Sequence, residues 1–173
     1  IKAPSKANKL CGLNRPGHFD GVLTILNKFF SIINPSILIL GKKDYQQFVL
    51  VKDFINDKNL NINTIGVETI RERNGLAYSS RNTLLSNNNK SIASMLYKVL
   101  KDIELNKDVL SNDLLNTQIK YLTSNGFELD YLAVCDTESL EQSLDICKKD
   151  LLVAIAAKLN NVRLIDNIVL TKL

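Results

Sequence analysis

One histidine, His18, stands in 173 residues. That scarcity argues against a histidine-based metal site and against a Ser-His-Asp triad with imidazoles to spare. Cysteine is equally sparse. Cys11, Cys135 and Cys147 are odd in number, far apart and without metal-ligand spacing, which predicts buried thiols in a reducing cytoplasm. No apolar run reaches the length of a membrane span, and no signal peptide is visible, so neither a membrane partner nor export is expected. Excess charge is also modest. The net charge is +4, and residues 1–69 carry the surplus, nine Lys/Arg against five acids. That imbalance points to an anionic ligand in the first part of the chain. It is too small and scattered for a nucleic-acid surface.

What is present reads as an ordinary globular protein, 45% hydrophobic and 23% charged. The length fits one good-sized domain or two small ones. The first residue is Ile1 rather than Met, which leads to the expectation of a processed chain or a longer protein represented in part.

Val22, Ile25, Leu26, Phe29, Ile32 and Ile33 fall at helical spacing and predict a helix over 20–33, ended by Asn34-Pro35. The run "SILIL" (36–40) predicts a strand buried on both faces, as in a parallel sheet. Gly41 breaks it, and Asp44 is the expected N-cap of a helix reaching about Asp57. "INTIGV" (62–67) predicts the next strand. Helix, strand, helix, strand is the repeat of a doubly wound α/β sheet, whose remaining strands are expected N-terminal of Ile1.

The texture changes near Thr69–Ile70. A polar loop (71–82) precedes an amphipathic helix through Ile92, Met95, Leu96, Val99, Leu100 and Ile103. A further helix over about 109–124 stops at Asn125-Gly126. Strands follow at about 127–135, 150–158 and 162–170, the last two joined by Asn160-Asn161 in a tight hairpin. The expected fold class is therefore α/β, with residues 1–69 part of a Rossmann-like domain and residues 70–173 a small α+β domain.

Three segments carry candidate chemistry. In "GKKDYQQ" (41–47), Gly41 lets the backbone turn sharply and approach a ligand, and Lys43 can place an ammonium on a phosphate. Gln47 offers an amide that donates and accepts. The same residues also fit solvated loop lysines and a polar helix face. In "YSSRN" (78–82), two hydroxyls beside an arginine make an anion-binding set, with Gly75 as a hinge; a capping serine pair with a surface arginine fits equally. In "LNRPGHFDG" (13–21), Arg15 precedes a Pro-Gly turn and His18 follows it, alone a weak signal.

Together "LCGLNRPGHFDGV", "GKKDYQQ", "VETIRERNGLAYSSRN" and the closing "RLIDNI" (163–168) resemble the pantothenate synthetase (pantoate–β-alanine ligase) family, from about Leu10 to Ile168. The resemblance implies a cytoplasmic, homodimeric, ATP-dependent ligase acting on pantoate and β-alanine with Mg²⁺. It implies a Rossmann-like nucleotidylyl-transferase domain, closed over by a smaller C-terminal lid domain. It assigns Gly41, Lys42, Lys43 and Asp44 to the ATP-binding loop and Gln47 to pantoate. The Ile70 backbone is assigned to adenine, and Tyr78, Ser79, Ser80 and Arg81 to a mobile phosphate-binding loop. Lys43, Ser79, Ser80 and Arg81 are the candidate catalytic groups, with Arg15 and His18 in a second tier. Lys42 stands where the family usually has an acid, and Tyr78 where Met or Leu is usual. The family's H-x-G-H segment does not occur, so the chain is expected to be the last three-fifths of such an enzyme and inactive alone. The competing readings are another nucleotidylyl transferase of the same architecture and a non-catalytic piece.

Overall fold

Ile37–Gly41 forms β1 and Asn63–Val67 forms β2, and the two pair in parallel, with Ile37 opposite Asn63 and Gly41 opposite Val67. Parallel neighbours need a crossover, which α2 (Tyr45–Asp57) supplies. With α1 (His18–Ile33) ahead of β1, the order is the helix, strand, helix, strand that the patterning predicts. The structure is a computed structural model that describes residues 1–173, and it divides into two compact units, Ile1–Glu68 and Thr69–Leu173.

In the first unit Leu38 and Leu40 pack with Leu23, Phe30, Val51, Phe54 and Ile55. Alternate strand residues face opposite sides, and α1 and α2 contribute to the core on one side only. Ile37 and Ile39 therefore stand 53% and 62% exposed, beside Ile65 and Val67. This corrects the expectation of a strand buried on both faces: both faces are apolar, but only one is covered. A second correction concerns α1. Its buried residues are Phe19, Leu23 and Phe30, whereas Ile25, Phe29, Ile32 and Ile33 lie in the open. The helix is apolar on two sides, and Asn34 ends it in the left-handed region with φ 48°.

The second unit is built on a three-stranded antiparallel meander, β3 (Glu128–Asp136), β4 (Leu151–Leu159) and β5 (Val162–Leu170), in that order. Central β4 is buried along almost its whole length. Asn160 (φ 47°) and Asn161 (φ 66°) both adopt left-handed backbone, the two-residue turn that matches strand twist. The predicted helix through Ile92–Ile103 is two helices, α3 (Asn87–Ala93) and α4 (Met95–Leu105), separated at Ser94. The next, α5 (Asn112–Ser124), begins three residues later than expected because Ser111 caps it, accepting from Leu114 N–H. It ends as predicted: Gly126 N–H donates to Thr123 and Phe127 N–H to Leu122, closing a Schellman motif. The helices bury Leu96, Val99, Leu100, Ile103 and Leu122 in one core with the sheet.

No cysteine forms a disulfide, but only Cys135 is buried. Cys11 is half-buried and Cys147 exposed, which corrects the expectation of buried thiols throughout. No helix is long and apolar enough to cross a membrane.

Candidate functional site

The first candidate loop leaves the carboxyl end of β1, where open α/β sheets present ligands. Lys42–Asp44 makes one 3-10 turn, and Tyr45 then starts α2. Gly41 has φ −74° and ψ 129°, extended backbone open to any residue, so a sharp turn is not why glycine stands there. No atom lies within 4 Å of where its Cβ would be, which leaves open space against the chain. Asp44 occupies the N-cap position without capping: its side chain accepts no bond from the helix. Its Oδ2 lies 4.0 Å from Lys43 Nζ, and the Lys43 side chain is only 17% exposed.

Lys42 is engaged differently. Its Nζ lies 2.5 Å from Glu68 Oε1, one position past the last rung of the β1–β2 ladder. The aliphatic stem crosses Gly66, where a Cβ would stand 2.9 Å from Lys42 Cε and 3.0 Å from the Phe48 ring. Gly66 thus leaves room for both side chains at the foot of the loop.

The two glutamines divide sharply. Gln46 is buried and fully used: Oε1 accepts from Cys11 N–H at 3.0 Å, and Nε2 donates to the carbonyls of Lys6 and Lys9 at 3.0 and 2.7 Å. It ties the 3-10 turns Ser5–Asn8 and Leu10–Gly12 to α2. Gln47, half-buried, has no such structural duty. Arg15 is exposed, and His18 opens α1 with its ring 4.9 Å from that of Phe19.

The second loop lies within the second unit. Residues 70–78 fold into a short hairpin, with Tyr78 N–H donating to Ile70 O at 3.0 Å and Glu72 N–H to Leu76 O at 2.8 Å. The Ile70 side chain is exposed. Beyond the hairpin, Ser79 caps the 3-10 turn Ser80–Leu84 by accepting from Arg81 N–H at 3.2 Å. The capping role of a serine and an exposed arginine are both observed here. Ser80, Arg81 and Tyr78 are exposed, so hydroxyl and guanidinium face outward together. Patterning did not single out Asn82. It is buried, and its Nδ2 donates to Ala77 O at 3.1 Å and Glu72 Oε1 at 3.2 Å, holding the loop to both arms of the hairpin. An asparagine directly after an exposed polar run was the available clue.

No group of three or more His, Cys, Asp or Glu side chains is arranged to hold a metal ion. Asp44 is the single carboxylate of the 41–47 loop, so a hard cation would draw most of its oxygens from a phosphate ligand.

Comparison with known proteins accords with this layout. The family pattern described as pantoate-beta-alanine ligase matches residues 1–169. Pantothenate synthetase of Methylobacillus flagellatus is 43% identical over 174 residues, covering 97% of this chain and 61% of that protein. Its counterpart in Coprothermobacter proteolyticus is 41% identical over 166 residues, covering 93% and 58%. Among solved structures, pantothenate synthetase of Thermus thermophilus superposes with a TM-score of 0.89 at 32% identity, over 99% of this chain and 62% of that one. The Francisella tularensis pantoate-beta-alanine ligase, solved with beta-gamma ATP and beta-alanine, gives 0.76 at 33% identity, covering 97% and 56%. The chain thus spans about three-fifths of the length of the curated relatives it matches.

Proposed function

The chain belongs to the pantoate–β-alanine ligase family, and from that premise we propose that the protein it represents joins pantoate to β-alanine at the expense of ATP. The observation that carries this reading is Lys43, a sheltered ammonium at the carboxyl end of a parallel strand, in a chain matched to the family along residues 1–169. In the first step a pantoate carboxylate oxygen attacks the α-phosphorus of ATP. The bond to the bridging oxygen breaks, and pantoyl adenylate and pyrophosphate form. In the second step the β-alanine amine attacks the acyl carbon, AMP leaves, and the amine proton passes to solvent or the departing phosphate.

Lys43 serves the phosphates as a point charge, and Ser79, Ser80 and Arg81 supply hydroxyl and forked guanidinium donors for phosphate oxygens. Such donors act by being oriented before charge develops. Gln47 orients pantoate, for which its amide is available because Gln46 carries the structural bonds. Gly41 and Asp44 shape the first loop, Lys42 and Tyr78 are further ATP-binding residues, and the Ile70 backbone takes adenine. Arg15 and His18 remain outer candidates. Residues 1–69 are the ATP- and pantoate-binding part and residues 70–173 the lid domain. Mg²⁺ bound with the nucleotide would neutralise phosphate charge, and Asp44 would be this chain's own carboxylate available to hold it. The full-length protein works in the cytoplasm as a homodimer, and a monomer in sedimentation equilibrium would contradict that part.

The decisive measurement is ATP–pyrophosphate exchange by the full-length protein with and without pantoate. Exchange that needs pantoate is expected. Exchange indifferent to pantoate would instead favour another nucleotidylyl transferase. The 173 residues alone lack an H-x-G-H segment and span three-fifths of their relatives, so as an isolated polypeptide they are expected to show no ligase turnover.

A further inference from the structure

Arg71 opens the hairpin of the second unit and makes four hydrogen bonds and one ring contact, all with residues outside the assigned ligand set. Its guanidinium forks onto Asp166 of β5, Nη1 donating to Oδ2 at 2.6 Å and Nη2 to Oδ1 at 2.9 Å. Nη1 also donates to the Gly75 carbonyl at 3.1 Å, and Nη2 to the Asn167 carbonyl at 3.3 Å. The guanidinium carbon lies 3.8 Å from the Tyr97 ring centroid, a cation–π contact with α4. The Asp166 side chain is 4% exposed and that of Arg71 15%.

An ion pair this far from water contributes little net stability over apolar packing of the same volume, because desolvation offsets the attraction. What it supplies is direction. One planar fork links β5, α4 and the hairpin tip, and no apolar side chain can fix three elements in that way. Gly75 is pressed into the same arrangement: with φ +93°, a Cβ there would lie 2.4 Å from Tyr97 Cδ1. The outgoing arm of the hairpin leads directly to Tyr78–Arg81, and Asn82 ties that segment back to Ala77 and Glu72. The fork therefore sits at the root of the exposed serine-arginine loop.

We infer that Arg71 and Asp166 are positioning residues for the anion-binding loop 78–82, holding Ser79, Ser80 and Arg81 in one arrangement before the nucleotide arrives; this rests on the phosphate-binding reading of that loop. Donors fixed in advance lose no reorganisation energy on binding, whereas donors on a loosened loop must be ordered by the ligand.

The test uses Arg71→Lys and Asp166→Asn in the full-length protein. Lysine keeps the charge and the contact with Tyr97 but loses the fork. Two readouts are taken. Hydrogen exchange of the amides of residues 78–82 is expected to quicken by about tenfold or more as local opening becomes easier. In pantoate-dependent exchange, KM for ATP is expected to rise about tenfold while KM for pantoate stays within about twofold. Unchanged protection over 78–82 in Arg71→Lys overturns the inference, as does a lowered melting temperature with wild-type KM for ATP. If the loop loosens but the wild-type protein shows no pantoate-dependent exchange, the tether stands and the ligase reading fails. Asp166→Asn keeps the test open should one variant not fold, since it breaks the same fork from the other side.

Discussion

Adjacent lysines at the end of β1 have separate partners. Lys42 spans to Glu68 across Gly66, while Lys43 is sheltered beside Asp44. Replacing Lys43 with Ala should lower pantoate-dependent ATP–pyrophosphate exchange by about 10²–10³-fold, the usual cost of one charge-stabilising group. The melting temperature should move by less than about 4 °C, because truncating a single sheltered loop lysine costs about 1 kcal/mol or less. A lower melting temperature with normal exchange would remove Lys43 from the site. The residue scale also shows where patterning stops. That 41–47 is polar chemistry at a strand end is legible, but a pattern carries no φ, so the turn that a glycine permits is not the extended backbone Gly41 adopts. Gln46 and Gln47 look alike in sequence, and only their burial separates a structural staple from an available amide.

At the scale of elements, β3 ends on an acid that organises the connection to β4. Asp136 Oδ1 accepts from Ser139 N–H at 2.6 Å, Ser139 O–H at 2.7 Å and Glu138 N–H at 3.1 Å, and Oδ2 lies 2.9 Å from Lys149 Nζ. Burial pushes this carboxyl up, but the bonds from Ser139, Lys149 and Glu138 outweigh it and hold the group well below the usual carboxylate range. A folded-state pKa below the unfolded value contributes stability that is complete above the ordinary value near 4 and is lost as pH falls through the folded one. Asp136→Asn should thus destabilise the protein by about 1–2 kcal/mol at neutral pH. The gap to wild type should narrow as pH is lowered from about 5 to 2, and urea midpoints across that range test it; a constant gap would show that charge is not the cause. The β4–β5 turn gives a second element-scale expectation. Asn161→Gly should be neutral or better, whereas Asn161→Val should cost about 1–2 kcal/mol, because a branched side chain resists positive φ. Equal midpoints for the two variants would contradict the turn assignment. That hairpin and the end of α5 were legible because Asn-Asn and Asn-Gly signal their own backbone. The buried face of α1 was not: Phe19, Leu23 and Phe30 on one side compete with Ile25, Phe29, Ile32 and Ile33 on the other, and periodicity ranks neither.

Across the whole molecule, the first unit leaves one apolar face of its sheet uncovered. Ile37, Ile39, Ile65 and Val67 line the open face of its two-stranded sheet. The isolated 173-residue chain should bind the dye ANS, and Ile39→Lys should reduce that binding while leaving the far-UV circular dichroism unchanged. Dye binding unaffected by the substitution would locate the exposed surface elsewhere. The all-apolar character of "SILIL" was legible from the sequence, but whether anything lies against its second face was not. A strand's own residues state what it can bury, and other elements decide what it does bury.

The Lys42–Glu68 pair carries one more consequence. With Glu68 largely exposed, such a contact contributes only about 0.2–1 kcal/mol. Its weight lies in compatibility. A change of Lys42 to Glu made alone would set two carboxylates face to face at the foot of the loop, and Glu68 to Lys alone would set two ammoniums there. Exchanging both restores attraction. The two positions are therefore free to drift only in a particular order or together, so the tolerance of either one to mutation is a property of its partner's identity.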